Sequence, residues 1–258
     1  MGRQSASIRE QRIHEVLDVV TRQGSTTAEA LAERLGVSLM TVYRDVSALE
    51  SSGLIQRAHG RISSTPFSMA ESSSLMRIGR GSQTKARLAA RALELLSPGQ
   101  TVAIDDSTTC LGLFPGIADL APLTIVTNAR FIADAVLEHP SLELVQIGGT
   151  YVRWADAFNG PLAEAEVARL SVDVCLMSTT AIVSGRCCHP DADMSSFKGA
   201  LMRAAQRRIL LVDRTKFTRN ALHAFLDLDD VDVAVTEEAL GEDALARLRE
   251  HVGTVVTV

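Results

Sequence analysis

No stretch of the 258-residue sequence comes near the roughly 18 uninterrupted apolar residues of a membrane helix, so no spanning helix is expected. The polar beginning, MGRQSASIREQR, carries no apolar segment of a secretory leader, and a cytoplasmic protein is the expectation. Cysteine is scarce. Cys110, Cys175, Cys187 and Cys188 lie in or beside apolar segments without a spaced framework, which argues against a disulfide scaffold and for reduced, core-filling thiols. Lysine occurs only at positions 85, 198 and 216, an imbalance that base composition alone can produce. There is no GxGxxG after a strand-like run and no Walker-type loop, so no nucleotide cofactor is expected, and no repeat recurs at a fixed period.

What is present divides unevenly. The whole chain holds 26 basic against 31 acidic side chains, a balance that alone argues against a polyanion partner. Residues 1–92, however, hold 13 Lys+Arg against 8 Asp+Glu, and residues 93–258 hold 13 against 23. The first part is thus net +5, as phosphate contact requires, and the second is net −10, which keeps the remaining surface away from a polyanion. The length suits two domains.

In the basic part, Ile13, Val16, Leu17 and Val20 recur at helical spacing from Ile8 until Gly24. Thr26 with Glu29 has capping-box spacing before a short helix that Gly36 closes, and Ser38 caps a third helix that stops at Ser51-Ser52-Gly53. Leu54–Ala58 reads as a strand, His59-Gly60 as a turn and Ile62 as part of a returning strand, which makes a wing. Residues 1–63 therefore form one domain, Ser-rich residues 64–82 a linker, and 83–258 a second domain.

On the third helix Val42, Val46 and Leu49 share one face, while Met40, Tyr43, Arg44 and Ser47 point the other way with Thr41 at the edge. Such a helix can enter the major groove of double-stranded DNA. Arg pairs with guanine, and Ser38, Thr41 and Tyr43 reach phosphate or base edges, with Arg57, His59 and Arg61 on the wing as backbone or minor-groove contacts. The same grammar also suits a protein-interaction module in which Arg44 is merely solvated or paired to Asp45.

The segment LAERLGVSLMTVYRDVSALESSGLIQRAHG resembles the N-terminal winged helix-turn-helix of the DeoR family of bacterial transcription regulators, whose pattern runs near L-A-x-x-L-x-V-S-x-x-T-I-R-R-D-L-x-x-L-E-x-x-G-x-L-x-R-x-H-G-G. The resemblance implies that Ser38, Thr41, Tyr43 and Arg44 lie on a recognition helix. Tyr43 stands where the family has Arg, and Arg61 where it has a second wing Gly.

The acidic part reads as strands alternating with helices, at Thr101–Ile104, Leu123–Thr127, Leu142–Ile147, Val172–Met177, Ile209–Val212 and Val231–Val235, with helices such as Thr84–Leu96, Ala129–Glu138 and Met194–Arg207. That alternation specifies a Rossmann-like parallel sheet covered on both faces. Polar clusters follow the strands, where open parallel sheets bind ligands. They are Asp105 with Ser107, Thr108 and Thr109; Thr127-Asn128; Gly148-Gly149; and Asp213 with Lys216. Each also reads as ordinary capping or turn chemistry, and Lys198, on its helix, as a solvated lysine.

In this order they resemble the family's effector domain, with its D-S-G-T-T, T-N, G-G, a Lys-bearing helix and D-S-S-K-F. The resemblance implies a fold like ribose-5-phosphate isomerase and a phosphorylated sugar or related metabolite as effector, contacted by the same residues and Lys198. Ser107 in place of Gly and Met177–Ala181 in place of a Gly-containing segment depart from the pattern; added side chains there are expected to narrow or redirect specificity, towards an unusual effector or loss of the ordinary ligand. Cys187-Cys188-His189, near Asp191 and Asp193, lacks the spacing of a zinc site, so no metal is expected, and Asp193 is read as a contributor beside Lys198.

The resulting expectation is a repressor of carbohydrate-metabolism or transport genes, acting as a homodimer or homotetramer on operator DNA and released by its effector. An isomerase-like enzyme with an accessory nucleic-acid-binding module is the alternative. It needs a carboxylate base placed against its substrate.

Overall fold

The computed structural model describes residues 12–13, 15–16, 19–20, 23–51, 55–64 and 74–258. The start of the first helix at Ile8, its Leu17, the Ser52-Gly53 stop, Leu54 and residues 65–73 of the expected linker lie outside them. Two compact units divide between Arg80 and Gly81.

In the first unit the described residues 12–13, 15–16, 19–20 and 23 are helical and lead to β1 (Ser25–Thr26), α1 (Ala28–Leu35) and α2 (Leu39–Ser51). Then β2 (Ile55–Ala58) and β3 (Arg61–Ser64) pair antiparallel, with β1 on the far side of β3. Thr27, not Thr26, caps α1: it accepts the Ala30 N–H, while Thr26 belongs to β1. Gly36 closes α1 in the left-handed conformation at φ 63°, which a side chain would resist. Ser38 begins α2, its hydroxyl accepting the Thr41 N–H at 3.2 Å.

Thr41, Val42 and Val46 are poor helix formers, each costing up to roughly 0.7 kcal/mol against Ala. Burial decides the matter. Val42, Val46 and Leu49 are buried, as are Val16, Val20, Leu31, Ile55 and Ile62 of the same unit, and a fully buried aliphatic side chain gains roughly 1.5–3 kcal/mol.

Within the expected linker, α3 (Ser74–Gly79) is helical and Ser74 is buried, so the Ser-rich composition misled at that end. The second unit opens with α4 (Ser82–Leu93) and then builds one seven-stranded sheet. Its strands are β4 (Thr101–Ile104), β5 (Leu123–Thr127), β6 (Leu142–Gln146), β9 (Val172–Met177), β12 (Ala205–Val212), β14 (Val233–Thr236) and β15 (Thr254–Thr257). The order is β15-β14-β12-β9-β4-β5-β6, and every pairing is parallel.

Alternation along the strands explains their continuous apolar character. Val174, Leu176, Ile209 and Leu211 face one hydrophobic cluster, whereas Cys175, Met177, Leu210 and Val212 face another on the opposite side. Helices α4, α5 (Phe114–Ile117) and α6 (Arg130–Leu137) cover the first face; α7 (Pro161–Val167), α8 (Ala192–Arg203) and α9 (Glu242–His251) cover the second. Between β6 and α7 lies the hairpin β7 (Thr150–Val152) and β8 (Ala157–Asn159), and a side sheet is made by β10 (Ala181–Val183), β11 (Arg186–His189) and β13 (His223–Asp227). The helix read from Met194 to Arg207 ends at Arg203, Ala204 caps it, and residues 205–207 already belong to β12.

Candidate functional site

Parallel strands bring all their carboxyl ends to one edge. From β4 the chain moves outward through β5 and β6, then returns to β9 on the other side of β4, so the strand order reverses between β4 and β9. Ile104 is in register with Leu176 on β9 and with Thr127 on β5. Asp105–Thr109, Thr127-Asn128 and Ser178–Thr180 are therefore neighbours by topology, and all of them are buried.

Lys198 joins this group from the middle of α8. It is 2 % exposed, not solvated, and its ammonium donates to both Asp105 and Asp106, the latter at 2.7 Å. Burial works against the charged ammonium, yet the two carboxylates outweigh it and raise the Lys198 pKa. Burial likewise pushes the Asp105 carboxyl up, opposed by Lys198.

The hydroxyls here do not cap helices. Ser107 Oγ accepts the Ser178 N–H at 2.8 Å and lies 3.4 Å from the Ser178 carbonyl, and Lys85 of α4 donates to Thr108 Oγ1 at 2.9 Å. Thr109 forms no side-chain cap on the following short helix. Ser107, one of the two departures from the family pattern, is thus bonded to Ser178, which belongs to the other.

On the β5 side, Thr127 Oγ1 accepts the Ala129 N–H, and Asn128 Nδ2 donates to the Phe158 carbonyl of β8 at 2.8 Å. Asn159, the next residue, donates through Nδ2 to Met194 Sδ at 3.0 Å, one turn ahead of Lys198 on α8. Gly149 has φ 134°, and a Cβ there would lie 2.7 Å from the Asn159 carbonyl. Its close approach is thus to the hairpin; Gly148, exposed, donates its N–H to Glu166 at 3.1 Å.

Two further positions are less central. Asp213 accepts from the Thr215 N–H and so caps the turn containing half-buried Lys216. Asp193 is exposed on the first turn of α8, five residues before Lys198 and so roughly 140° around the helix. The carboxylates beside Lys198 are Asp105 and Asp106, and the helix is capped by Asp191. Asp106, Lys85, Ser178 and Asn159 are members of this network that sequence reading did not name as site residues. Asp106 lies inside the suspected motif and Ser178 inside the Met177–Ala181 departure, whereas Lys85 and Asn159 have no local signal.

The cysteine reading concerns packing. Cys187 and Cys188 lie on β11, burial raises both thiol pKa values, and Cys110 and Cys175 sit in the two core clusters with thiols raised in the same way. Adjacent His189 is buried, accepts the Asp191 N–H at Nδ1 and stacks on Trp154.

In the first unit the outer face of α2 exposes Met40, Tyr43 and Arg44, and with Arg12, Thr41, Asp45 and Ser47 they line an open groove. Ser38 lies at the same end, its Oγ 2.9 Å from Thr41 Oγ1. Asp45 is turned inward and paired to Arg12, not to Arg44.

The wing turn holds His59 at φ 51° and Gly60 at φ 74°, the left-handed pair that a two-residue hairpin demands. Arg57 and Arg61 are both engaged internally. Arg57 donates to Glu50 at 2.8 Å and holds that carboxyl below its ordinary pKa, while Arg61 Nε donates to Ser25 Oγ at 3.1 Å.

The DeoR-like helix-turn-helix domain matches residues 12–66, and the DeoR C terminal sensor domain matches residues 80–238. The chain belongs to the DeoR family of transcriptional regulators. An L-fucose operon activator of Haemophilus influenzae is 27% identical, covering 92% of this chain and 95% of that protein. A putative aga operon transcriptional repressor of Escherichia coli O157:H7 is 28% identical over 96% of this chain and 93% of its own length. A solved D-ribose-5-phosphate isomerase in complex with phospho-erythronic acid is similar at 12% identity and a TM-score of 0.40, covering 53% of this chain and 54% of that one.

Proposed function

We propose that this DeoR-family regulator is a cytoplasmic repressor of carbohydrate-metabolism or transport genes, that residues 1–63 bind operator DNA, and that a phosphorylated sugar bound within residues 83–258 releases it. The observation that carries the reading is α2: its apolar stripe is buried, while Met40, Tyr43 and Arg44 stand exposed on the other face of a net-basic part of the chain. Tyr43, Arg44, Thr41, Ser38 and Ser47 read the major groove, and His59 at the wing tip with Arg57 and Arg61 contacts the backbone. The relative named for the L-fucose operon supports the gene class; that relative is an activator, and the proposal of repression follows the aga operon repressor.

The effector is held at the carboxyl edge by Asp105, Ser107, Thr108, Thr109, Thr127, Asn128 and Lys198, with the Gly148-Gly149 turn, Asp193, Asp213 and Lys216 as outer candidates. A homodimer or homotetramer supplies two recognition helices to successive grooves, and the effector acts by favouring one arrangement of them over the other. The isomerase-like alternative needs a carboxylate at liberty to take a proton from carbon, whereas Asp105 and Asp106 are both bound to Lys198.

Fluorescence anisotropy on the DNA upstream of the protein's own gene, with a panel of sugar phosphates added, tests the whole reading. Selective binding that one sugar phosphate weakens is expected. Selective binding that no sugar phosphate alters would remove the effector half of the proposal, and no selective binding would remove the regulator half for this DNA.

A further inference from the structure

Among the described residues, the buried side-chain oxygens of Asn128 (Oδ1), Asn159 (Oδ1) and Ser178 (Oγ) have no hydrogen-bond partner and belong to the loops and hairpin about β4, β5 and β9; Gln146 Oε1 and Thr236 Oγ1, likewise without one, end strands farther out in the sheet. A buried polar atom left this way is costly, so a ligand group that satisfies it gains affinity. The chemistry of the missing partner follows from the bonds already made. Asn128 Nδ2 donates to a carbonyl oxygen, which only accepts, so the amide orientation is fixed and Oδ1 is left as an acceptor. Asn159 Nδ2 is directed at the Met194 thioether, a weak acceptor, which leaves its Oδ1 in the same position. Both require a donor. An ionised phosphate offers only acceptors, whereas a hydroxyl offers O–H.

Ser178 adds the element particular to this chain. Its N–H is bound by Ser107 Oγ and its carbonyl lies 3.4 Å from the same hydroxyl, so the bridge between the β4 and β9 loops uses only the backbone of residue 178. The Ser178 side chain is thereby held in place at the strand-order reversal with its own Oγ uncommitted.

We propose that Asn128, Asn159 and Ser178 are specificity-determining contacts that read hydroxyl groups of a polyhydroxylated effector, with Ser107 positioning Ser178. This rests on the carboxyl edge being the effector site. The three residues hold the sugar portion, and a phosphate group on the same molecule is held away from the two asparagine oxygens.

Isothermal titration of the full-length chain with ribose 5-phosphate, glucose 6-phosphate, fructose 6-phosphate and inorganic phosphate tests it. Ser178→Ala keeps the backbone bridge intact, and Asn159→Ala keeps the carbonyl beside Gly149. At least one sugar phosphate is expected to bind more tightly than inorganic phosphate, and each variant to weaken that sugar phosphate about tenfold while leaving inorganic phosphate unchanged. Wild-type affinity for every probe in both variants would overturn the proposal, as would failure of the wild-type chain to prefer any sugar phosphate. Lys198→Gln, run alongside, separates the two levels: if it abolishes binding while the other variants do not, only the hydroxyl-reading proposal falls, and if it too is silent the site itself is misplaced.

Discussion

Arg12, ahead of β1, closes on Asp45 of α2, Nε to Oδ2 at 2.5 Å, with the carboxylate 1% exposed and the guanidinium 19%. The pair fixes the helix that carries the exposed Tyr43 and Arg44, and it takes for structure the one carboxylate adjacent to Arg44 in sequence. Arg12→Ala removes a charged partner from a buried carboxylate and should lower the stability of the first unit by about 1.5–3 kcal/mol, while Asp45→Asn should cost less because no charge is buried. Urea unfolding followed by circular dichroism checks this. An Arg12→Ala midpoint equal to that of the wild type would show the pair to be dispensable.

Arginines exposed on α2 and on the wing should not behave alike. Arg44 is exposed at the groove, whereas Arg57 is held by Glu50. Arg44→Ala should weaken operator binding by about 1–3 kcal/mol and relax base preference. Glu50→Ala should strengthen binding to random DNA by releasing Arg57, an effect that fades as salt rises. Anisotropy on operator and random duplexes reads both, and a Glu50→Ala chain with weaker random-DNA binding would contradict the assignment of Arg57 to the backbone.

Removing the ammonium at the carboxyl edge should make stability depend on acid. Lys198→Met leaves Asp105 and Asp106 buried without that cation, a change worth about 3–5 kcal/mol near neutral pH. Burial already raises the Asp105 pKa and Lys198 opposes it, so the variant raises it further. A carboxyl whose folded pKa exceeds the unfolded value of about 3.9 binds protons preferentially when folded. Stability relative to wild type should therefore recover as pH falls from 7.5 towards 5. Thermal melts across that range measure it, and a deficit that widens on acidification would reverse the sign argued here.

Thiol chemistry should be silent until the chain unfolds. Cys110, Cys175 and Cys187 are fully buried and burial raises all three thiol pKa values. Folded protein at pH 8 should leave these three unmodified by a maleimide while denatured protein reacts at all of them, as mass spectrometry of the digested chain reports. Labelling of Cys175 before unfolding would show the sheet to be open.

Much of the fold was legible because it is written locally. Ile209–Val212 and Val172–Met177 are apolar on both faces, and only a strand inside a covered parallel sheet needs that pattern. The side sheet was not legible, since β10 and β11 are three and four residues long, and RCCH has no period to detect. Register errors at helix ends were small and local, as with Thr27 capping α1 in place of Thr26. At the candidate site the motif residues were visible but their bonding was not. Lys198 meets Asp105 across 93 positions of sequence, and nothing near Lys198 announces that it is buried. Asn159 and Ser178 acquire meaning only through hydrogen bonds made elsewhere, by Met194 and Ser107.

If the first unit reads a particular DNA sequence through α2, binding to the upstream DNA of the protein's own gene and to a scrambled duplex of equal length should differ when followed between 50 and 200 mM salt. Tighter binding to the upstream duplex is expected throughout, with affinity for both falling steeply because counterion release is less favourable at higher salt. Equal affinity for the two duplexes, or binding indifferent to salt, would contradict it.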